Sequence, residues 1–291
     1  MFNARTKTIT TLCGVACMAM LAIGTAACGG NGKSSDEARA MLAQAEELAG
    51  QQLYDSAVAV LDSLCRTRPA ETDAVREAMF MKAVTLEKSF RAQMAQVDSI
   101  IAANVPVVES IAPHFKAVKT EEMVEGYRVH TAVASKELIN RTDIEPRIDE
   151  GGNLYIVTLL HGVAAQHDRL RVSGAEGSAE TQSVPYDNSR NYRFSEDGVT
   201  NEMVTFRYDE CADFARFVAE HAHEPLKLTF VGKKQHTVAM SDALKRAIAE
   251  SYRYSTAMRM GMKAERDKLL LGKKIEIALR QIEQTAIDKK D

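Results

Sequence analysis

The sequence predicts an α+β fold: an N-terminal helical hairpin and long helix, an antiparallel, sandwich-like β-rich domain, and a long C-terminal helix packing back on the N-terminal helices. Three observations predict it. Apolar residues recur at helical spacing from Ala38 to Ile101 and again from Leu244 to Ile282. Between them lie short runs rich in β-branched and aromatic residues, separated by turn clusters such as Gly151-Gly152-Asn153, Glu196-Asp197-Gly198 and Gly232-Lys233-Lys234. The last helical stretch is too long for a globular core and calls for a second helix to pair with.

The chain opens with Arg5 and Lys7, then an uncharged stretch holding Ile9, Leu12, Val15, Met18, Met20, Leu21 and Ile23, then Thr25, Ala26 and Ala27. That is the basic, apolar and small-residue order of a secretory signal over residues 1–27. The apolar run falls short of the roughly 20 residues that span a bilayer. Its end, Thr25-Ala26-Ala27-Cys28, resembles the lipobox of bacterial lipoproteins, with Thr25 where that family most often has Leu. The resemblance implies that the Cys28 thiol is alkylated with diacylglycerol, becomes the new N-terminus and holds the protein to a membrane; several acyl chains anchor stably where one is marginal. Gly29 in place of Asp implies, by the same resemblance, the outer membrane. Residues 28–36 read as a lipidated, flexible tether.

A helical region is expected over 37–114. Ser34 and Glu37 form a capping-box pattern ahead of Ala38, Met41, Leu42, Ala45, Leu48 and Ala49, so a first helix is placed at about 35–50. A second carries Tyr54, Ala57, Val58, Leu61, Leu64 and Cys65 and stops before Pro69. Tyr54-Asp55, Ala57, Leu61, Leu64 and Pro69 fall at the offsets of a tetratricopeptide repeat, which this hairpin resembles over about one repeat; Gln44 and Ala45 depart from it, where Leu and Gly are usual. One repeat cannot bury its own face, so the hairpin must pack on something else. A third helix is expected over 73–103, broken or kinked by Asn104 and Pro106, with a short helix continuing to His114.

The β-rich domain is expected over 115–240, with strands at 122–130, 154–161, 170–173, 180–184, 202–208, 226–231 and 235–239. The tight turn at Gly232-Lys233-Lys234 marks a hairpin. One inserted helix, over 210–221, is read as capped by Asp209. The final segment, 241–291, is one long helix that starts at Ser241-Asp242 and runs to about Ala286, interrupted only by Gly261 and Gly272, packed antiparallel on the third, so that the β-rich part is an insertion between two arms of a helical stalk.

The 291 residues are 45% hydrophobic and 26% charged, ordinary globular composition, and contain no Trp, which argues against a glycan site built on indole platforms. The net charge of −3 becomes two units more negative once Arg5 and Lys7 leave with the signal, so nucleic acid is not an expected partner. With Cys13 and Cys17 in the signal and Cys28 lipidated, only Cys65 and Cys211 remain; one bridge between them is open, but two unpaired, mostly buried thiols are the expectation.

No residue is assigned to catalysis, a metal or a cofactor. His221-Ala222-His223-Glu224 pairs two imidazoles without the spacing of helical zinc sites and without a third ligand, and suits a helix C-terminus. Cys211 sits among Asp209, Glu210 and Asp213, which work against a thiolate. Gly174 and Gly177 lack the Lys-Ser or Lys-Thr of a phosphate loop, and no Gly-x-Ser-x-Gly elbow occurs. The stretch from Tyr186 to Phe194 mixes rings, amides and guanidinium groups, with Tyr186, Arg190 and Tyr192 as candidate ligand contacts; its other reading is a turn at Asp187-Asn188-Ser189 leading into a strand. The layout resembles envelope lipoproteins of gut-type bacteria, a resemblance that supplies no activity. The expected function is a membrane-anchored binding or scaffold module for envelope proteins or glycan, without catalysis. The alternative is a hydrolase of envelope polymers or glycans using carboxylates such as Asp143, Glu145 or Asp149.

Overall fold

The computed structural model describes residues 32–134 and 141–287; the signal, Cys28 and the remainder of the glycine-rich run lie outside them. Among the described residues the fold is α+β, with five α-helices and ten strands. No helix of these is long and apolar enough to cross a membrane.

Helices α1 (Gly32–Gly50) and α2 (Tyr54–Thr67) form the hairpin. Ala38, Leu42 and Ala45 meet Leu61 and Leu64, and the face they share is closed by Ala78 of α3 (Thr72–Ile111). The start differs from expectation: residues 32–36, read as tether, are helical, and Glu37 pairs with Arg68 rather than closing a capping box. No proline or left-handed residue interrupts that first turn, and the helix it opens carries Ala38 buried just beyond it.

Helix α3 also runs past its expected end. It continues unbroken through Pro106, because Val108 and Ile111 beyond the proline pack on the core of the β domain and hold the last turns in place. A single 3-10 turn, Ala112–His114, follows in place of the expected short helix. With 40 residues, α3 is ~60 Å long at 1.5 Å per residue.

Helix α5 (Asp242–Ile287) opens with Ser241 Oγ accepting the Leu244 N–H at 3.2 Å and runs antiparallel to α3. Lys268 pairs with Asp98 at 2.7 Å, and Lys274 lies 5.4 Å over the Phe90 ring. Ala257, Ala264, Leu271 and Ala278 are buried at heptad intervals along α5, and α3 likewise buries small side chains at Ala83, Thr85 and Ser89. The hairpin thus sits at one end of a two-helix stalk and the β domain at the other.

The β domain has two antiparallel sheets. The larger is ordered β1 (Phe115–Val118), β2 (Tyr127–His130), β3 (Asp143–Asp149), β4 (Leu154–His161), β8 (Val199–Phe206), β7 (Asn191–Glu196). The smaller is ordered β10 (Gln235–Ala239), β9 (Lys227–Val231), β5 (Arg169–Gly174), β6 (Gly177–Glu180). One core joins both sheets, α4 (Tyr208–Glu220) and the first half of α5: Ile144, Ile156 and Phe206 from the large sheet, Leu170 and Phe230 from the small one, Phe214 from α4, Ile248 and Tyr254 from α5.

The β9–β10 hairpin forms at Gly232-Lys233-Lys234 as expected. Strand β3 was not expected, although Ile144, Pro146 and Ile148 alternate with charged residues; Pro146 is tolerated because the β2 ladder ends at Arg147, so no partner is waiting for the missing N–H. Only the last part of the expected strand at 122–130 pairs, as β2. The strand expected at 180–184 lies earlier, as β6, whose four residues pair with β5 around the tight turn at 174–177. Helix α4 starts before Asp209, with Arg207 at its N-cap and Glu210 accepting the Arg207 N–H at 2.7 Å.

A polar cleft between sandwich and stalk

The β3–β4 turn is built against α5. Asp149 Oδ1 accepts the Asn153 N–H at 2.7 Å, and Asp149 Oδ2 accepts the Asn153 side-chain amide at 3.0 Å. From α5, buried Ser255 accepts the Leu154 N–H at 3.1 Å and donates to the Gly152 carbonyl at 2.6 Å. Gly152 has φ +77°, and a Cβ there would stand 2.9 Å from Met262 and 3.0 Å from Met258, so only glycine lets the turn approach the helix this closely.

This seating opens a cleft on either side of the turn. One lobe of about 600 Å³ is lined by Asn153, Tyr155, Arg207, Tyr208 and Arg259 together with the carboxylates of Glu125, Asp149 and Asp209. A second of about 540 Å³ shares Asn153, Tyr208 and Arg259 and adds Lys263 and Arg266. The Arg259 guanidinium lies 3.5 Å over the Tyr208 ring, a cation–π contact that holds it in the shared wall. Neither Arg207 nor Arg259 makes an ion pair among the described residues. Burial pushes the Tyr155 hydroxyl above its ordinary value, only partly offset by Arg147, so it stays a protonated donor. The cleft offers guanidinium groups, carboxylates, aromatic faces and an amide, the chemistry of a polar peptide or sugar site.

Of the residues singled out in sequence, Asp149 lines the cleft, where it is bound to Asn153; the others lie elsewhere and are held by separate partners. Arg190 is bound to both carboxylate oxygens of Glu210 at 2.8 Å, tying β7 to α4. The Tyr192 hydroxyl donates to Met203 Sδ at 2.8 Å, and its ring stacks on Phe194 at 6.0 Å. Exposed Tyr186 carries Arg193 over its ring at 4.6 Å. The expected turn is present: Asp187 Oδ1 accepts the Ser189 and Asn191 N–H groups, both at 2.9 Å. Asp143, Glu145 and Asp149 share one face of β3, yet they are engaged by Arg141, Arg147 and Asn153 respectively. Cys28 lies outside the described residues.

A second cluster pins the end of α3 to α5. Glu250 Oε2 lies 2.6 Å from His114 Nδ1 and 2.9 Å from His130 Nε2. His130 Nδ1 accepts the Ala132 N–H at 3.1 Å, so its proton sits on Nε2 and is donated to Glu250. Burial of Glu250 favours the neutral acid, but the hydrogen bonds from the two histidines outweigh it and hold the carboxyl below its ordinary range. These are hydrogen-bond lengths, and the cluster is a latch.

Compared with known proteins, the chain finds no match: no family model, no curated protein and no solved structure corresponds to it.

Proposed function

We propose that the protein is a non-catalytic binding module of the bacterial envelope, anchored to the outer membrane by lipid on Cys28, that takes a protein segment or glycan into the cleft at Arg259. One observation carries this reading: Arg207 and Arg259, free of ion pairs among the described residues, stand beside Tyr155, Tyr208 and Asn153 in a ready-made polar recess. Unpaired guanidinium groups against aromatic rings are typical of interfaces that bind polar partners. The stalk supports it as well, because on α3 the hairpin packing ends at Met81 and the β-domain packing begins at Val108, ~40 Å further along at 1.5 Å per residue, and the hairpin is the end that follows the anchor in the chain.

The test is chemical crosslinking in intact cells of the native host, followed by recovery of the tagged protein in detergent and mass spectrometry of its neighbours and bound glycans. One or a few envelope components should be captured by the wild type and lost in Arg259→Ala. Capture that survives Arg259→Ala and Tyr208→Ala together would place the binding surface elsewhere. Cys28→Ala should separately abolish fatty-acid labelling and release the protein from membranes; continued labelling overturns the anchor.

A further inference from the structure

The turn from α4 into β9 meets the β5–β6 turn, and their side chains form a cluster of metal-ligand type. His221 ends α4, with its N–H donated to the Phe217 carbonyl and its ring 4.3 Å from the Phe217 ring. Its Nδ1 lies 3.3 Å from Glu224 Oε1 and 4.0 Å from Glu176 Oε2. His223 Nε2 lies 3.6 Å from the same Glu224 oxygen. The backbone beneath is fixed: the Glu224 N–H donates to the His221 carbonyl at 3.0 Å, and the Glu224 carbonyl accepts Lys245 Nζ at 2.7 Å.

Two features separate this cluster from the latch at Glu250. The other carboxylate oxygen, Glu224 Oε2, is buried without a hydrogen-bond partner, a costly state for an ionised group. The spacings also differ in kind. Ligands about 2.0–2.2 Å from a tetrahedral zinc stand about 3.3–3.6 Å from each other. The 3.3 and 3.6 Å separations here match that edge and the 4.0 Å one exceeds it by about 0.4 Å; the shortest is also a long hydrogen bond, the ligand atoms of Glu176, His221 and Glu224 all lie within 4.8 Å of one another, and the latch by contrast is closed at 2.6 and 2.9 Å.

We propose that Glu176, His221 and Glu224 bind a divalent transition-metal ion of the zinc class, with the exposed ring of His223 turning in as fourth ligand. Imidazole and carboxylate donors suit such an ion. Bound there, it clamps the β5–β6 turn onto the end of α4. Sequence alone finds His221, His223 and Glu224 and lacks the ligand that folding supplies from Glu176.

The test uses the full-length protein in detergent, without a polyhistidine tag and stripped by a chelator, titrated with Co²⁺ and then Zn²⁺ while the visible cobalt absorption is followed. One Co²⁺ per chain should bind with a tetrahedral spectrum and be displaced by Zn²⁺. His221→Ala and Glu176→Gln should each weaken Zn²⁺ by about tenfold or more, since loss of even an outer partner costs that much, while His114→Ala leaves the affinity unchanged. Glu176 is 72% exposed, so Glu176→Gln tests the ligand without disturbing the core, which circular dichroism confirms. Absence of a cobalt spectrum, affinity unchanged in both cluster variants, or an equal loss in His114→Ala overturns the site.

Discussion

The Glu202 carboxylate receives the His167 ring at 2.8 Å and the backbone N–H groups of Gln166 and His167 at 2.6 and 2.9 Å, with both side chains shut away from solvent. His167 Nε2 in turn meets Thr158 Oγ1 at 2.9 Å, and the His167 ring packs edge-on to Phe230 at 5.3 Å. The order hydroxyl, imidazole, carboxylate is that of a nucleophile triad, but Thr158, His167 and Glu202 are all fully buried, so no substrate reaches them in this conformation. The group ties β4 and β8 of one sheet to β9 of the other. Glu202→Gln should therefore lower unfolding free energy by about 3 kcal/mol, the scale of breaking a buried charged pair. Urea denaturation checks it, and a loss under about 1 kcal/mol would mean the tie is dispensable.

Acid should weaken the fold through Glu202 and Glu250. In each, burial raises the carboxyl pKa, but hydrogen bonds from histidine, joined at Glu202 by backbone N–H groups, outweigh it and bring the net value below the ordinary 4.5. A depressed folded pKa gives stability that is complete above 4.5 and is lost as pH falls through the lower folded values. Urea midpoints measured from neutral pH downward should decline in that window, and Glu250→Gln should decline less steeply. Parallel declines in variant and wild type would remove Glu250 from the account.

Two glycines should respond to alanine in opposite directions. A Cβ at Gly232 would sit 2.3 Å from the Gln166 carbonyl oxygen and 2.6 Å from the His167 Cα, main-chain atoms that cannot swing aside. Gly232→Ala should destabilise by about 3 kcal/mol or prevent folding. At Gly272, within α5, a Cβ meets nothing within 4 Å, so Gly272→Ala should stabilise by about 1 kcal/mol through helix propensity. Thermal melts decide both, and a lower Tm for Gly272→Ala would contradict an open helix surface there.

The two thiols should differ in reactivity. Burial, with Glu210 and Asp209 adding to it, pushes Cys211 up to about 12, whereas Cys65 is only partly buried and is raised mainly by burial and by Asp62. Iodoacetamide at pH 8 should label Cys65 slowly in the native protein and Cys211 only after unfolding. A crosslinked peptide joining the two would contradict the free thiols of this structure.

What sequence made legible was periodic and local. Helix α5 and the Gly232 hairpin declare themselves locally, but the seam of α5 does not: Met262, Leu269 and Leu279 of its apolar stripe are exposed, and small Ala257, Ala264 and Ala278 are buried with Leu271 instead. Strand β3 did not, because Pro146 and four charges masked an alternation that the end of the β2 ladder makes harmless. The cleft was illegible for another reason: Asn153, Tyr208 and Arg259 stand on a turn, a helix start and the middle of the stalk, and only the seat of Gly152 on Met258 and Met262 brings them together. The candidate contact Arg190 was legible as an exposed guanidinium but not as the partner of Glu210, since nothing local links β7 to α4.

The chain climbs to the β domain along α3 and returns along α5, so the two arms are loaded side by side whenever the domain is pushed or pulled relative to the hairpin. Such a force shears the whole seam at once, and the Asp98–Lys268 pair and the buried residues from Ala257 to Ala278 must give way together. The stalk is therefore a strut that transmits compression and torque as well as tension, and it fixes the height and heading of whatever the β domain holds.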